Sequence, residues 1–271
     1  MPEQVAAAGG FNEQFSAFEV GAAREANGHC VAEEDAVGHD SYSETFILGK
    51  LDVADPAALH RALEQLRADL LADPYFKRVP SMQAERGKTA RAFHAKDDVP
   101  EVRREVFKVL SQFDLRFYGV VRHKMALLAY VRQRNEREDG YRYRGDELYD
   151  TLVEDLFRRY HPLADRLEIC FATRGNKART HAFRSAIEKA EARFESQYGI
   201  RRSAEVHIVA STPPQKAGLQ AVDYFLWALQ RHYERDESRY VELVWDKVVE
   251  IEDLDRIEGG RRGLSTTKNA P

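Results

Sequence analysis

The clearest pattern of apolar and polar positions in the chain runs from Ser211 to Tyr233. Leu219, Val222, Leu226, Leu229 and Tyr233 recur there at steps of three and four. At about 100° per residue they gather into one stripe, which predicts an amphipathic helix facing a core. Gln220, Asp223 and Trp227 flank the stripe. Asp223 therefore lies at a core boundary near the helix start, where a carboxylate loses water and needs a cation, a metal or backbone donors. The alternative is a partly exposed residue favoured by the N-terminal end of the helix dipole.

The same reading organises the rest of the chain. Gln14–Val20 is a candidate short strand within an otherwise small-residue N-terminus, and His29 to Asp35 is a second, ending in three acids. Thr45 to Val53 is the strongest early strand. Asp55 followed by Pro56 has the form of an N-cap and first helical residue, opening a helix through Leu59, Leu63, Leu66, Leu70 and Leu71 that Pro74 closes. Residues Tyr75 to Lys96 form a loop, after which Asp98 and Pro100 repeat the helix-start signature ahead of Val102, Val106, Phe107 and Leu110. A strand over Leu115 to Lys124 leads to a helix reaching about Arg134, and Gly145 to about Pro162 forms another. Strands at Leu167 to Ala172 and Glu205 to Val209 bracket a helix from Ala178 to Tyr198. Alternating strands and helices predict an α/β fold with helices on a mixed sheet. The expected division is an N-terminal extension or first strand over 1–28 and a single domain over 29–271.

Composition narrows this picture in three ways. A chain of 271 residues that is 43% hydrophobic can bury a substantial core. Its two cysteines, Cys30 and Cys170, form no CxxC pair, which argues against a disulfide framework or zinc finger and suits a reducing, cytoplasmic setting. No segment approaches the roughly 20 apolar residues of a membrane span. The net charge of −4 means that any nucleic-acid surface must be a local patch.

The densest such patch lies between Tyr130 and Arg144, where Arg132, Arg134, Arg137, Arg142 and Arg144 interleave with Tyr141 and Tyr143. Interleaved arginine and tyrosine suit phosphate contact with base stacking, although Glu136, Glu138 and Asp139 dilute the charge and leave a solvated surface as the alternative. A basic turn with Arg174 and Lys177 follows the Leu167 strand. His94, His123 and His207 end or flank strands and are either proton-transfer groups or hydrogen-bonded structural residues. There is no GxSxG elbow, no GxxxxGK[ST] loop and no GxGxxG, which excludes nucleotide-driven and dehydrogenase chemistry of those types.

Three stretches together carry a resemblance: FHAKDDVPEVR from Phe93 to Arg103, the strand ending in His123 and Lys124, and GLQAVDYFLWALQR from Gly218 to Arg231 with its Gln-x-x-Asp pair, Gln220 and Asp223. In these the chain resembles the bacterial family known as domain of unknown function 3800, from about Glu44 to the C-terminal tail. The resemblance implies a ribonuclease-H-like fold, with an early antiparallel set of strands followed by alternating helices and strands. It further implies a pair of divalent ions, magnesium or manganese, on acids from the first strand, a central strand and the last helix.

On that resemblance Asp223 is the last-helix ligand, and Glu33 and Glu34 are the nearest match to the family's first-strand acids, with Glu19 as the competing alignment. Gln220, His94 and Lys124 complete the site. Arg142, Arg144, Arg174 and Lys177 are the candidate nucleic-acid contacts. The chain departs from the family in lacking Asp-Glu-Ser and in carrying Cys170, Phe171 and Ala172 where the central strand would supply a carboxylate; Glu168 is at the wrong end. The implied function is a metal-dependent phosphodiesterase on DNA or RNA, in defence against foreign nucleic acid. The alternative is a catalytically degenerate module that binds nucleic acid or a protein partner.

Overall fold

The computed structural model describes residues 14–20, 44–83, 87–143, 145–158, 166–172, 205–255, 266–267 and scattered positions between 184 and 199. The strands are β1 (Gln14–Val20), β2 (Thr45–Val53), β3 (Leu115–His123), β4 (Arg166–Ala172), β5 (Glu205–Ser211), β6 (Val248–Asp253) and β7 (Thr266–Thr267). They form one sheet in the order β5-β4-β1-β2-β3-β6-β7. β1, β2 and β3 pair antiparallel in succession, whereas β4 pairs parallel to β1 and β5 parallel to β4. This is the mixed, ribonuclease-H-like arrangement that the resemblance implied: an early antiparallel set, then strands delivered by intervening chain. The strands expected at Thr45, Leu115, Leu167 and Glu205 share that single sheet. Gln14–Val20 is the strand between β2 and β4; the other early candidate, His29 to Asp35, lies outside the described residues, as does most of the Ala178 to Tyr198 helix.

β2 explains why the centre of the sheet holds. Apart from Asp52 every one of its residues is buried, the signature of a strand covered on both faces. Its alternate positions belong to two cores. Ile47, Leu51 and Val53 join the main cluster with Phe117 and Val121 of β3, under helices α1 (Pro56–Ala72), α2 (Pro100–Ser111) and α5 (Ala217–Arg235). Phe46 and Leu48 face the other way with Val120, buried beneath α3 (Lys124–Arg137) and α4 (Gly145–Arg158), whose Leu127, Val131, Leu152, Val153, Leu156 and Phe157 are buried there. Lys50 also takes this second face. It is fully buried, donates to both carboxylate oxygens of Asp52 at 2.9 and 3.0 Å, and sits 3.9 Å over the Tyr118 ring. Pairing and ring contact together make a buried ammonium tolerable.

α1 begins as the sequence predicts: the Asp55 carboxylate caps the helix by accepting from the Ala58 N–H at 2.8 Å, with Pro56 in the first turn. α5 is the helix predicted from the Leu219 to Tyr233 stripe, and all five stripe residues are buried. Its seat is Gly49 in the middle of β2. A Cβ built on Gly49 would lie 2.7 Å from Leu226 Cδ2 and 2.7 Å from the Phe117 ring, so any side chain here would force one of them to move. The Phe225 ring stacks on Phe117 with centroids 5.0 Å apart, and Leu229 packs over Gly119. The far end of α5 is tied down by Glu234, whose Oε1 accepts from the Thr45 hydroxyl at 3.1 Å.

Gly49→Ala is therefore expected to destabilise the fold by about 1–3 kcal/mol through overpacking. The cost should fall in a Leu226→Ala background, where the methyl group has room. Urea denaturation of the two single variants and the double variant checks this, and strictly additive losses would show that Leu226 is not what excludes the methyl.

Candidate functional site

The polar flank of α5 does not face solvent. It grips the irregular segment 88–98, which precedes α2. Residues three apart on a helix lie on one side, and Gln220 and Asp223 use that spacing to accept two backbone amides: Gln220 Oε1 takes the Phe93 N–H at 2.9 Å and Asp223 Oδ2 takes the Ala95 N–H at 2.7 Å. The Gln220 amide group also donates to the Pro213 carbonyl at 2.8 Å, fixing the loop that leaves β5. Of the partners a boundary carboxylate could take, Asp223 thus has a backbone donor. It has an imidazole as well: His94 Nδ1 lies 3.4 Å from Asp223 Oδ2 and 3.9 Å from Asp97 Oδ2.

A second carboxylate lies deeper. Asp98 is almost fully buried; its Oδ1 accepts from the Thr89 hydroxyl at 2.6 Å, and its Oδ2 accepts from the His94 N–H at 2.9 Å and from the Tyr224 hydroxyl. This corrects the sequence reading. Asp98 was expected to cap α2, but Val99 is the residue at that position and the Asp98 side chain is turned into the clasp instead. Burial pushes the Asp98 carboxyl up to about 6, the Asp223 charge adding to the rise, and the three donated hydrogen bonds oppose it. The Tyr224 hydroxyl is driven well above its usual range by burial and then by the neighbouring Asp98 charge. Arg103, one turn into α2, closes the segment by donating from Nη1 to the Ala95 carbonyl at 2.9 Å and to the Asp98 carbonyl.

Gln220, Asp223 and His94 are thereby brought together. Lys124 is not. Its backbone N–H bonds to Glu44 beside the Thr45–Glu234 contact, at the end of α5 that lies 11 residues, or about 16 Å of helix, from Asp223. The arginine and tyrosine stretch is also elsewhere. α3 packs on the sheet face away from α5: Arg122 on that face stacks over Tyr130, Arg134 stacks on Tyr141 at 4.1 Å and pairs with Glu138, and Arg142 follows as an exposed residue. The stretch is therefore withdrawn as a contact at Asp223. Glu33, Glu34, Arg144, Arg174 and Lys177 lie outside the described residues. For Glu19 the backbone register is described: it pairs with Gly49.

Among the described residues, no three His, Cys, Asp or Glu side chains are grouped to hold a metal ion. Asp223 and its described neighbours do not by themselves form such a group. The residues missed from sequence were Thr89, Asp98, Arg103 and Tyr224. Tyr224, a polar ring beside Asp223 on a buried helix, carried a visible signal, and Asp98 and Arg103 lie within the Phe93 to Arg103 stretch already singled out.

The raised Asp98 carboxyl has a defined consequence for stability. The fold favours the protonated acid, so this group's contribution is present at low pH and declines as pH rises from about 4 to about 6, by up to about 3 kcal/mol. Asp98→Asn, which stays neutral, should lack that slope: its stability relative to the unmodified protein is expected to increase across this window. Denaturant titrations of both proteins at half-unit pH steps read the difference, and a gap that does not vary with pH would contradict the raised value.

No family model matches the chain, and no curated protein matches it in sequence. Solved structures do. The ribonuclease HII of Archaeoglobus fulgidus, determined in a complex with PCNA, aligns over 86% of this chain and 77% of its own with 11% identity and a TM-score of 0.38. Ribonuclease H2 of Pyrococcus horikoshii aligns over 86% of this chain and 76% of its own with 11% identity and a TM-score of 0.36. Neither likeness assigns a role to any residue here.

Proposed function

We propose that this chain is a metal-dependent phosphodiesterase acting on DNA or RNA, with Asp223 and Glu19 as the carboxylates of its reacting centre. The observation that carries the reading is the juxtaposition of β1 and α5. β1 lies between β2 and the parallel β4, and Glu19 holds the register position opposite Gly49, the residue on which Leu226 is seated. Asp223 is one turn before Leu226 on the same helix. That placement supports Glu19 as an acid that completes the site.

Magnesium or manganese, when bound by hard carboxylate oxygens, supplies an activated water and stabilises the leaving oxygen. The chain's own contribution is positional. The Ala95 N–H fixes one oxygen of Asp223, the clasp at Asp98 fixes the segment that carries Ala95, and His94 places an imidazole against the same carboxylate.

A second reading, a module that binds nucleic acid or a protein without cleaving it, is favoured by one feature. β4 ends in Cys170, Phe171 and Ala172, with no carboxylate where a third ligand would be drawn from the central strand.

Purified protein assayed on labelled single- and double-stranded DNA and RNA with magnesium, manganese or EDTA separates the two. Asp223→Asn and Glu19→Gln are each expected to lower the metal-dependent rate by at least about 100-fold, while Glu33→Gln and Glu34→Gln leave it within about threefold. Manganese should raise the melting temperature of the unmodified protein and not of Asp223→Asn. Binding without cleavage under every metal condition, with no thermal response to manganese, would establish the second reading instead.

A further inference from the structure

The outer flank of α5 carries more than the clasp. Four residues beyond Asp223 is Trp227, and four beyond that is Arg231, so the three follow one another along one side of the helix. The Arg103 guanidinium lies 4.7 Å from the Trp227 ring and that of Arg231 lies 5.7 Å from it. Tyr240, in the short helix α6 (Arg239–Glu242), meets Trp227 edge-on with centroids 4.6 Å apart and stacks on Phe107 of α2. Arg239 lies 4.6 Å over the Tyr240 ring and donates to its hydroxyl at 2.9 Å.

Three elements thus place three arginines on two half-buried aromatic rings. Among the described residues, Glu237 pairs into the row, holding Arg231 at 2.7 Å. The row connects directly to the candidate centre, because Arg103 donates to the Ala95 carbonyl and the Ala95 N–H donates to Asp223.

We propose that Arg103, Trp227, Arg231, Tyr240 and Arg239 form a track for the sugar–phosphate backbone of a single nucleic-acid strand, ending at Asp223. The inference rests on the nucleic-acid reading above and gives it a surface. Guanidinium groups held by aromatic rings are pre-oriented donors, so less side-chain freedom is lost when a phosphate binds. Interleaved arginine and aromatic side chains are the chemistry that follows a flexible strand without reading its sequence. The row also fits a chain of net charge −4, in which attraction to phosphate must be local. It takes the place of the arginines on α3, which lie on the other face of the sheet.

The test is anisotropy of a fluorescein-labelled single-stranded DNA of about 20 nucleotides, enough to span a strand-binding groove, and of RNA of the same sequence, both in EDTA so that no cleavage occurs. Arg239→Glu should weaken binding about tenfold and Arg231→Gln about threefold, each lowering the slope of log affinity against log salt by about one. Arg132→Glu on α3 should leave affinity unchanged. The strand should quench tryptophan emission in Trp245→Phe and not in Trp227→Phe. Unchanged affinity in both the Arg239 and Arg231 variants, or loss in Arg132→Glu alone, would overturn the track while leaving a nuclease with another path to its centre. Failure of the unmodified protein to bind either strand would overturn the track and the nucleic-acid reading together.

Discussion

The structure depends on how closely α5 can approach the sheet. Five apolar side chains on one stripe, each worth about 1.5–3 kcal/mol when fully buried, draw the helix down, and the absence of a side chain at Gly49 allows Leu226 and Phe225 to settle against β2 and Phe117. That seat sets which way the helix faces. Its polar flank is then fixed in direction, and Gln220, Asp223 and Tyr224 must be satisfied by whatever lies beside them. The segment 88–98 fills that requirement, supplying amide donors to two of the side chains and the Asp98 carboxylate to the third.

That arrangement places two carboxylates in a poorly solvated region, and the environment treats them differently. Asp98, the more enclosed, accepts three hydrogen bonds and still has its carboxyl pushed up to about 6, because burial outweighs the donors. Asp223 lies nearer the surface beside an imidazole. A deep acid that holds a loop and a shallower one against a histidine amount to a division of labour: the first keeps Ala95 in place and the second is left in reach of other groups. The outer continuation of the same helix flank, through Trp227 and Arg231, extends this polarity away from the sheet, while the opposite sheet face is closed by the apolar undersides of α3 and α4.

Much of this was readable along the chain. The stripe of α5, the N-cap of α1, the strand at Thr45 to Val53 and the alternation of strands and helices are all local patterns, produced by periodicities of 3.6 and 2 and by residues whose backbone preferences act within a few positions. That Asp223 needs a partner was readable too, since a carboxylate at the edge of an apolar stripe loses water. Partner identity was not. Ala95 and Asp223 are 128 residues apart, and Asp98 carried a helix-cap signature as good as that of Asp55 while serving a different end.

Tertiary structure alone decided three further matters. It set the sheet order that brings Glu19 opposite Gly49, because strand register follows from which faces must be buried and not from any local signal. It put Lys124 at the far end of α5 and the arginines of α3 behind the sheet, since composition says which residues suit phosphate but not on which side of a sheet a connection will carry them. It also assembled the Arg103, Trp227 and Tyr240 row from three separate helices. The sequence by itself determined the elements and their buried stripes, since these depend on neighbours a turn or a pleat away. The site was decided by the fold, because hydrogen bonds and ring contacts act over a few ångströms and only packing brings such distant positions within that range.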